Sequence, residues 1–305
     1  MNNITTNIKS LELETLKNLK NSKSFNTLRA YQSDFNDFSL FCSKNGFQSI
    51  PTQPKILALY LTDLSSRSKY STLKRRLASI SILHKIKGYY IDTKHPIIME
   101  NLMGIKRIKG SNQKGKKPLL ISNLKQLIKA IHLSNEKDNR KIRDKALLLI
   151  GFSGGFRRSE LVNIEIDDIE FLSEGVKIFV KRSKTDQSGE GMTKAIPYFE
   201  NNEFCPVIAL KNWINNLEES QIKIFNISDK SVALIIKKYA NIAGLDSKKY
   251  AGHSLRSGFA TSTAESGAEE RNIMAMTGHK STEMVRRYIK EANLFKNNAL
   301  NKIKI

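Results

Sequence analysis

The sequence predicts a mainly α protein with one small antiparallel β-sheet, split between a helical N-terminal unit and an α+β C-terminal unit. Three observations carry this. Apolar residues recur at spacings of three and four through much of 27–87 and 122–292, the period of amphipathic helices. Alternation, the period of a strand, is confined to GVKIFVKR at 175–182 and a short stretch near 193–198. Between the two halves, KRIKGSNQKGKK at 106–117 holds six basic residues and two glycines but no acid and no aromatic. That composition predicts a basic linker over 106–118, separating a helical domain at 1–105 from a second domain at 119–305.

The elements follow in order. In 27–45, Leu28, Tyr31, Phe35, Phe38 and Cys42 share a face, and Gly46 supplies a stop. A second helix at 54–64 carries Ile56, Leu57, Tyr60, Leu61 and Leu64. A third at 71–87 aligns Leu73, Leu77, Ile80 and Leu83 and ends at Gly88. Lys74, Arg75 and Arg76 crowd the start of this third helix, where cations oppose the helix dipole. Phosphates would account for them. The second domain opens with Ser122 as an expected N-cap, followed by a helix through Leu124, Leu127, Ile128 and Ile131. An apolar helix is expected at 141–152, then the hairpin, then helices at 206–218, 229–243, 254–266 and 282–292.

Lys and Arg number 51 against 29 Asp and Glu, a formal net charge of +22. Such an excess points to a polyanionic partner, nucleic acid first. No apolar run approaches the roughly 20 residues of a membrane span. The polar N-terminus MNNITTNIKSLELETLK lacks the pattern of a targeting peptide, so a cytoplasmic protein is expected. Cys42 and Cys205 lie far apart within apolar patterns, which argues against a disulfide framework or a metal cluster.

Chemistry-bearing residues punctuate the second domain. Arg157 and Arg158 follow a glycine-rich turn in GFSGGFRRSEL, with Glu160 three positions after Arg157. Lys184 lies in the hairpin loop SKTDQSGEG, His253 and Arg256 in AGHSLRSGFA, and His279 in GHKSTEMVRRYIK, nine residues before Tyr288. Singly each is ordinary: an Arg–Glu helix pair is usually a surface ion pair worth under ~1 kcal/mol. Their order is not. Arg, hairpin Lys, His-x-x-Arg, Gly-His and Tyr over 122–290 resemble the phage-integrase family of tyrosine recombinases, whose helical core-binding domain the first hundred residues match in pattern.

The resemblance implies a site-specific recombinase that cleaves and rejoins double-stranded DNA through a 3′-phosphotyrosyl intermediate, with no metal and no cofactor. Tyr288 is then the nucleophile. Reaching its phenolate at neutral pH costs roughly 4 kcal/mol from a reference pKa near 10, a cost lowered by surrounding positive charge or a base. Arg157 and Arg256 are expected to hold the non-bridging phosphate oxygens. Glu160 orients Arg157, and His253 bonds the phosphate or takes the tyrosine proton. Lys184 protonates the leaving 5′-oxygen, and His279 adds a donor to the phosphate. Backbone phosphates elsewhere are expected at Lys74, Arg75, Arg76, Lys106, Arg107, Lys114, Lys116 and Lys117. Relatives work as tetramers on two duplexes and exchange a C-terminal helix, which 291–305 would supply here. Two alternatives share the residue set in part: a type IB topoisomerase-like relaxing enzyme, and a DNA-binding relative that does not cleave.

Overall fold

The computed structural model describes residues 8, 10, 11, 14, 15, 23–110, 115–183, 186, 189–292, 301 and 303. The chain forms two units, residues 1–114 and 115–305.

Four helices build the described part of the first unit: α1 (Phe25–Lys44), α2 (Pro54–Arg67), α3 (Tyr70–Ile86) and α4 (Pro96–Lys109). Ser24 caps α1, its hydroxyl accepting from the Thr27 amide at 3.3 Å. Proline opens α2 and α4, where its missing N–H costs nothing. Phe38, Leu57, Leu61, Leu64, Leu73, Ile80, Ile98 and Leu102 form the core. Helix α4 was not expected. Its basic residues Lys106, Arg107 and Lys109 occupy the last turn, where cations complement the negative end of the helix dipole. Gly110, at φ +71°, then ends it. The expected linker therefore begins inside a helix.

The cationic start of α3 also differs from expectation. Arg75 pairs with the buried Asp34, and Arg76, only 15% exposed, pairs with Asp37 and donates to the Tyr60 hydroxyl at 2.6 Å. Carboxylates of α1 thus neutralise two of the three cations in the protein without DNA. Lys74 remains on the exposed face.

The second unit comprises α5 (Ile121–Leu133), α6 (Asp138–Ser153), the one-turn α7 (Arg158–Leu161), strands β1 (Ile169–Phe171), β2 (Gly175–Val180) and β3 (Met192–Pro197), then α8 (Pro206–Ile214), α9 (Asp229–Ile242), α10 (Ser254–Glu265), α11 (Glu270–Thr277) and α12 (Thr282–Ala292). The sheet is antiparallel in the order β1-β2-β3, with Ile169 and Lys194 both opposite Ile178. β1, α7 and α11 add to the expected elements. Ser122 lies in the first turn of α5 rather than at its N-cap, which is Leu120. Helix α6 is buried along its length from Ala146 to Ser153 and packs on α5, α8 and α10. An apolar helix enclosed on all sides makes a rigid base for the turn that follows it.

Candidate active site

Helix α6 ends at Gly154, and Gly155 turns the chain at φ +55°, a conformation open to glycine. A side chain there would press on Phe259 and Thr277, at 3.0 and 3.2 Å. The turn delivers Arg157 to the N-cap of α7. Sequence spacing suggested a helix-face pair between Arg157 and Glu160; in the structure Arg157 is the N-cap of α7 and Glu160 reaches back to it from the third helical position. The Arg157 amide donates to Glu160 Oε2 at 2.9 Å, while its guanidinium donates to Oε1 at 2.5 Å. Glu160 is buried, and one carboxylate fixes both ends of the arginine.

Arg256 enters from the first turn of α10. Its side chain is 4% exposed, and Nη1 donates to the Gly155 carbonyl at 2.9 Å. Nη2 is buried with no hydrogen-bond acceptor among the described residues. Burial, and then the neighbouring Arg157 cation, pull its pKa down to about 10. His253, at the N-cap of α10, stands exposed on the same side.

His279 follows Gly278, whose φ of +64° ends α11 in a left-handed cap donating to Met274 O at 2.7 Å. Its Nδ1 lies 2.8 Å from the hydroxyl of the fully buried Thr277. Burial, then Arg256, Arg157 and Lys194, push the imidazole down to about 4. Tyr288 projects from α12, half-buried, its ring centroid 6.1 Å from that of His279. Val285, Ile273, Ala260 and Ala264 support it from below. On α12, Val285 is the buried member, and Tyr288 reaches the rim.

Arg157, His253, Arg256, His279 and Tyr288 line one cleft of about 570 Å³. Five of the six expected catalytic residues meet there; the sixth, Lys184, lies outside the described residues, as does Lys114. Among the backbone-binding candidates of this unit, Lys117 is exposed, and the Lys116 ammonium donates to the Lys248 carbonyl at 2.6 Å. Among the described residues no group of His, Cys, Asp and Glu has the makings of a metal site, and no helix is long and apolar enough to cross a membrane. Both cysteines are buried thiols.

One residue of the site went unnoticed in sequence. Lys194 on β3 is completely buried and donates to the carbonyls of Gly154, at 2.8 Å, and Met276. Its ammonium also lies 4.8 Å from the Phe156 ring centroid. Burial, and to a smaller degree the Arg256 and Arg157 cations, lower its pKa to about 7, against the opposing pull of Glu160. The signal was present: in MTKAIP, Lys194 shares strand parity with the buried Ile196.

A two-arginine cleft facing a tyrosine, on a helical unit with a three-stranded sheet, defines a class. The description "phage integrase family" matches residues 119–294, and the chain belongs to that family of tyrosine recombinases. Over 97% of its length it is 42% identical to an integrase/recombinase XerD homologue of Selenomonas ruminantium, covering 91% of that protein. It is 26% identical to the tyrosine recombinase XerC of Syntrophus aciditrophicus, with 91% of each chain covered. Among solved structures, the site-specific recombinase XerH bound to difH superposes with a TM-score of 0.62 at 18% identity, over 81% of this chain and 73% of that one. A lambda integrase dimer bound to a core site gives 0.59 at 18% identity, over 96% and 98%.

Proposed function

We propose that this site-specific recombinase cleaves and rejoins double-stranded DNA through a covalent 3′-phosphotyrosyl bond to Tyr288, without a metal. One observation carries the reading. Arg256 presents a buried guanidinium nitrogen lacking an acceptor among the described residues, in a cleft shared with Arg157 and a reachable tyrosine. A buried N–H without a partner is costly, and a phosphate oxygen is the acceptor that a doubly cationic cleft selects. Two planar forks held by protein carbonyls and a carboxylate meet that oxygen without reorganising, the condition under which donors stabilise developing charge best. Tyr288 Oη attacks phosphorus, the 5′-oxygen leaves with a proton from Lys184, and the new ester keeps the bond energy for rejoining. Glu160 acts through Arg157, and His253 bonds the phosphate.

DNA as substrate is supported by the structural likeness to XerH bound to difH and lambda integrase bound to a core site. A tetramer on two duplexes is the assembly in which strands are exchanged; most of the tail expected to be exchanged between subunits, including 293–300, lies outside the described residues. A nicked suicide duplex built from the repeats flanking the coding sequence tests the chemistry. Wild-type protein forms a covalent adduct on it and Tyr288→Phe forms none. An adduct with the phenylalanine variant would remove Tyr288 as nucleophile.

A further inference from the structure

Arg158 is a cation of the cleft to which the proposed reaction gives no task. It follows Arg157 directly and lines the same cleft as Arg157, His253 and Tyr288. Its charge serves a different place in that cleft. Arg157 acts electrostatically on both Arg256 and Lys194, whereas Arg158 acts on neither. Among the described residues the carboxylate within ion-pair reach of Arg158 is Asp229, at 4.0 Å, and both side chains are part-exposed. Such a pair contributes little. Asp229 has a separate reason for its position, since it sits in the first turn of α9, where an acid complements the helix dipole.

What fixes Arg158 is a glycine. Gly252 is buried and does not adopt a left-handed φ, so its backbone conformation is open to any residue. Contact excludes a side chain there. A Cβ would stand 1.8 Å from Arg158 Cδ, 2.5 Å from Cγ and 2.8 Å from Nε. The arginine stem therefore lies flat across Gly252, at the residue before the N-cap of α10. Its guanidinium end is carried, 32% exposed, into a cleft where Arg157, Arg256 and Lys280 are the other cations. An arginine held by its stem keeps its planar fork for an anion and loses little rotamer freedom on binding one.

We propose that Arg158, seated on Gly252, binds a second phosphate of the cleaved strand, next to the one held by Arg157 and Arg256. This rests on the strand-transfer reading above and adds a subsite to it. One phosphate clamp alone is a pivot about which a flexible strand swings. A second clamp one nucleotide away sets the direction of the strand, and so aligns the scissile P–O bond with the approach of Tyr288. The phosphate that Arg158 holds does not react, and its binding energy goes into alignment. A contact of this kind positions the duplex without reading its sequence.

The test measures binding by full-length Tyr288→Phe protein, which leaves the duplex uncut on that reading. Anisotropy is followed on a fluorescent duplex built from the flanking repeats, with each phosphate of one half-site replaced in turn by an uncharged methylphosphonate. The cleaved phosphate is the one that wild-type protein captures on the nicked duplex. Arg158→Gln keeps the stem over Gly252 and removes the charge. It is expected to weaken binding roughly 5- to 10-fold near 0.1 M salt and to lower the slope of log affinity against log salt by about 0.9. A methylphosphonate at one neighbour of the cleaved phosphate weakens the protein carrying Arg158 by a similar factor, and the glutamine variant by under about twofold. Replacement elsewhere weakens both proteins alike. Gly252→Ala, which evicts the stem, reproduces the loss when Arg158 is present and adds nothing to Arg158→Ala. Unchanged affinity in Arg158→Gln, equal losses in both proteins at every position, or coupling confined to phosphates away from the cleaved one overturns the proposal. Failure of the wild type to form any adduct would instead remove the strand-transfer reading, while the scan still decides whether Arg158 holds a phosphate.

Discussion

Lys194 is the residue whose replacement tests the electrostatics of the site most directly. Its pKa falls from 10.5 to about 7 on folding, chiefly through burial. At roughly 1.4 kcal/mol per pH unit this disfavours the charged folded form by about 5 kcal/mol. The sign follows from proton counts. Below pH 7 the lysine is protonated in both folded and unfolded chains, and the full cost is felt. Between about 7 and 10.5 the unfolded chain keeps the proton that the folded chain has released, so stability climbs with pH. Lys194→Met removes that titration along with two hydrogen bonds, to Gly154 and Met276, that a neutral amine still makes. The stability difference between wild type and variant should therefore widen with pH. It should gain about 2 to 3 kcal/mol in favour of the wild type from pH 7 to 9. Urea unfolding followed by fluorescence reads this cleanly, because Trp213 is the chain's single tryptophan, is buried in the same unit, and donates to Ile224 O at 2.6 Å. Other titrating groups cancel in the difference. Parallel pH profiles for the two proteins would refute the reasoning.

Two further expectations separate binding from folding. Lys74→Ala should lower the slope of log affinity against log salt by about 0.9, one phosphate's worth, in anisotropy titrations of a fluorescent duplex. Arg76→Ala should instead destabilise the first unit by about 2 kcal/mol in circular-dichroism melts, since Asp34 and Asp37 lose the cation they share but keep Arg75 and Arg67. At Gly258 an added Cβ would stand 1.9 Å from the Leu119 carbonyl, backbone that cannot move aside. Gly258→Ala should cost about 3 kcal/mol by Trp213-monitored unfolding, and a neutral effect would show that the segment before α5 yields.

How far sequence carried the site depends on the kind of signal each residue leaves. His253, Arg256, His279 and Tyr288 announce themselves by order and spacing, and the fold gathers them because α10, α11 and α12 share one small core around Val285. Gly258 leaves no signal of its own in the sequence; what approaches it is the Leu119 backbone, within the same unit. Helix α4 was obscured because its final turn carries the basic run that also looks like a linker. The carboxylate partners of Arg76 were hidden because the same three cations suit either phosphates or carboxylates, and Asp34 and Asp37 lie some forty positions away along the chain. Lys194 escaped because lysine in a strand is ordinarily solvated, and only its inward parity distinguishes it. These misses share a cause: the deciding partner is distant in sequence, so pattern alone has no access to it.

The charge inventory of the cleft explains how so cationic a centre stays folded. Arg157 leans on Glu160, and Arg256 and Lys194 lean on carbonyls of Gly155, Gly154 and Met276, at the ends of the two helices α6 and α11. Uncapped carbonyls at helix C-termini carry partial negative charge, so the cations neutralise a field the backbone already supplies. Lowered pKa values do the rest: His279 is neutral at pH 7, and Lys194 sheds its proton over part of its population. Two guanidiniums are left as fixed charges. Both are bound to the protein, and the Arg256 nitrogen that has no acceptor among the described residues is the one the proposed reaction assigns to a phosphate. Repulsion between the arginines is thus met during folding rather than on encounter with DNA. Under the proposed reaction a phosphate gains two oriented donors while the site relinquishes little order, an arrangement that would favour the transition state over the ground state.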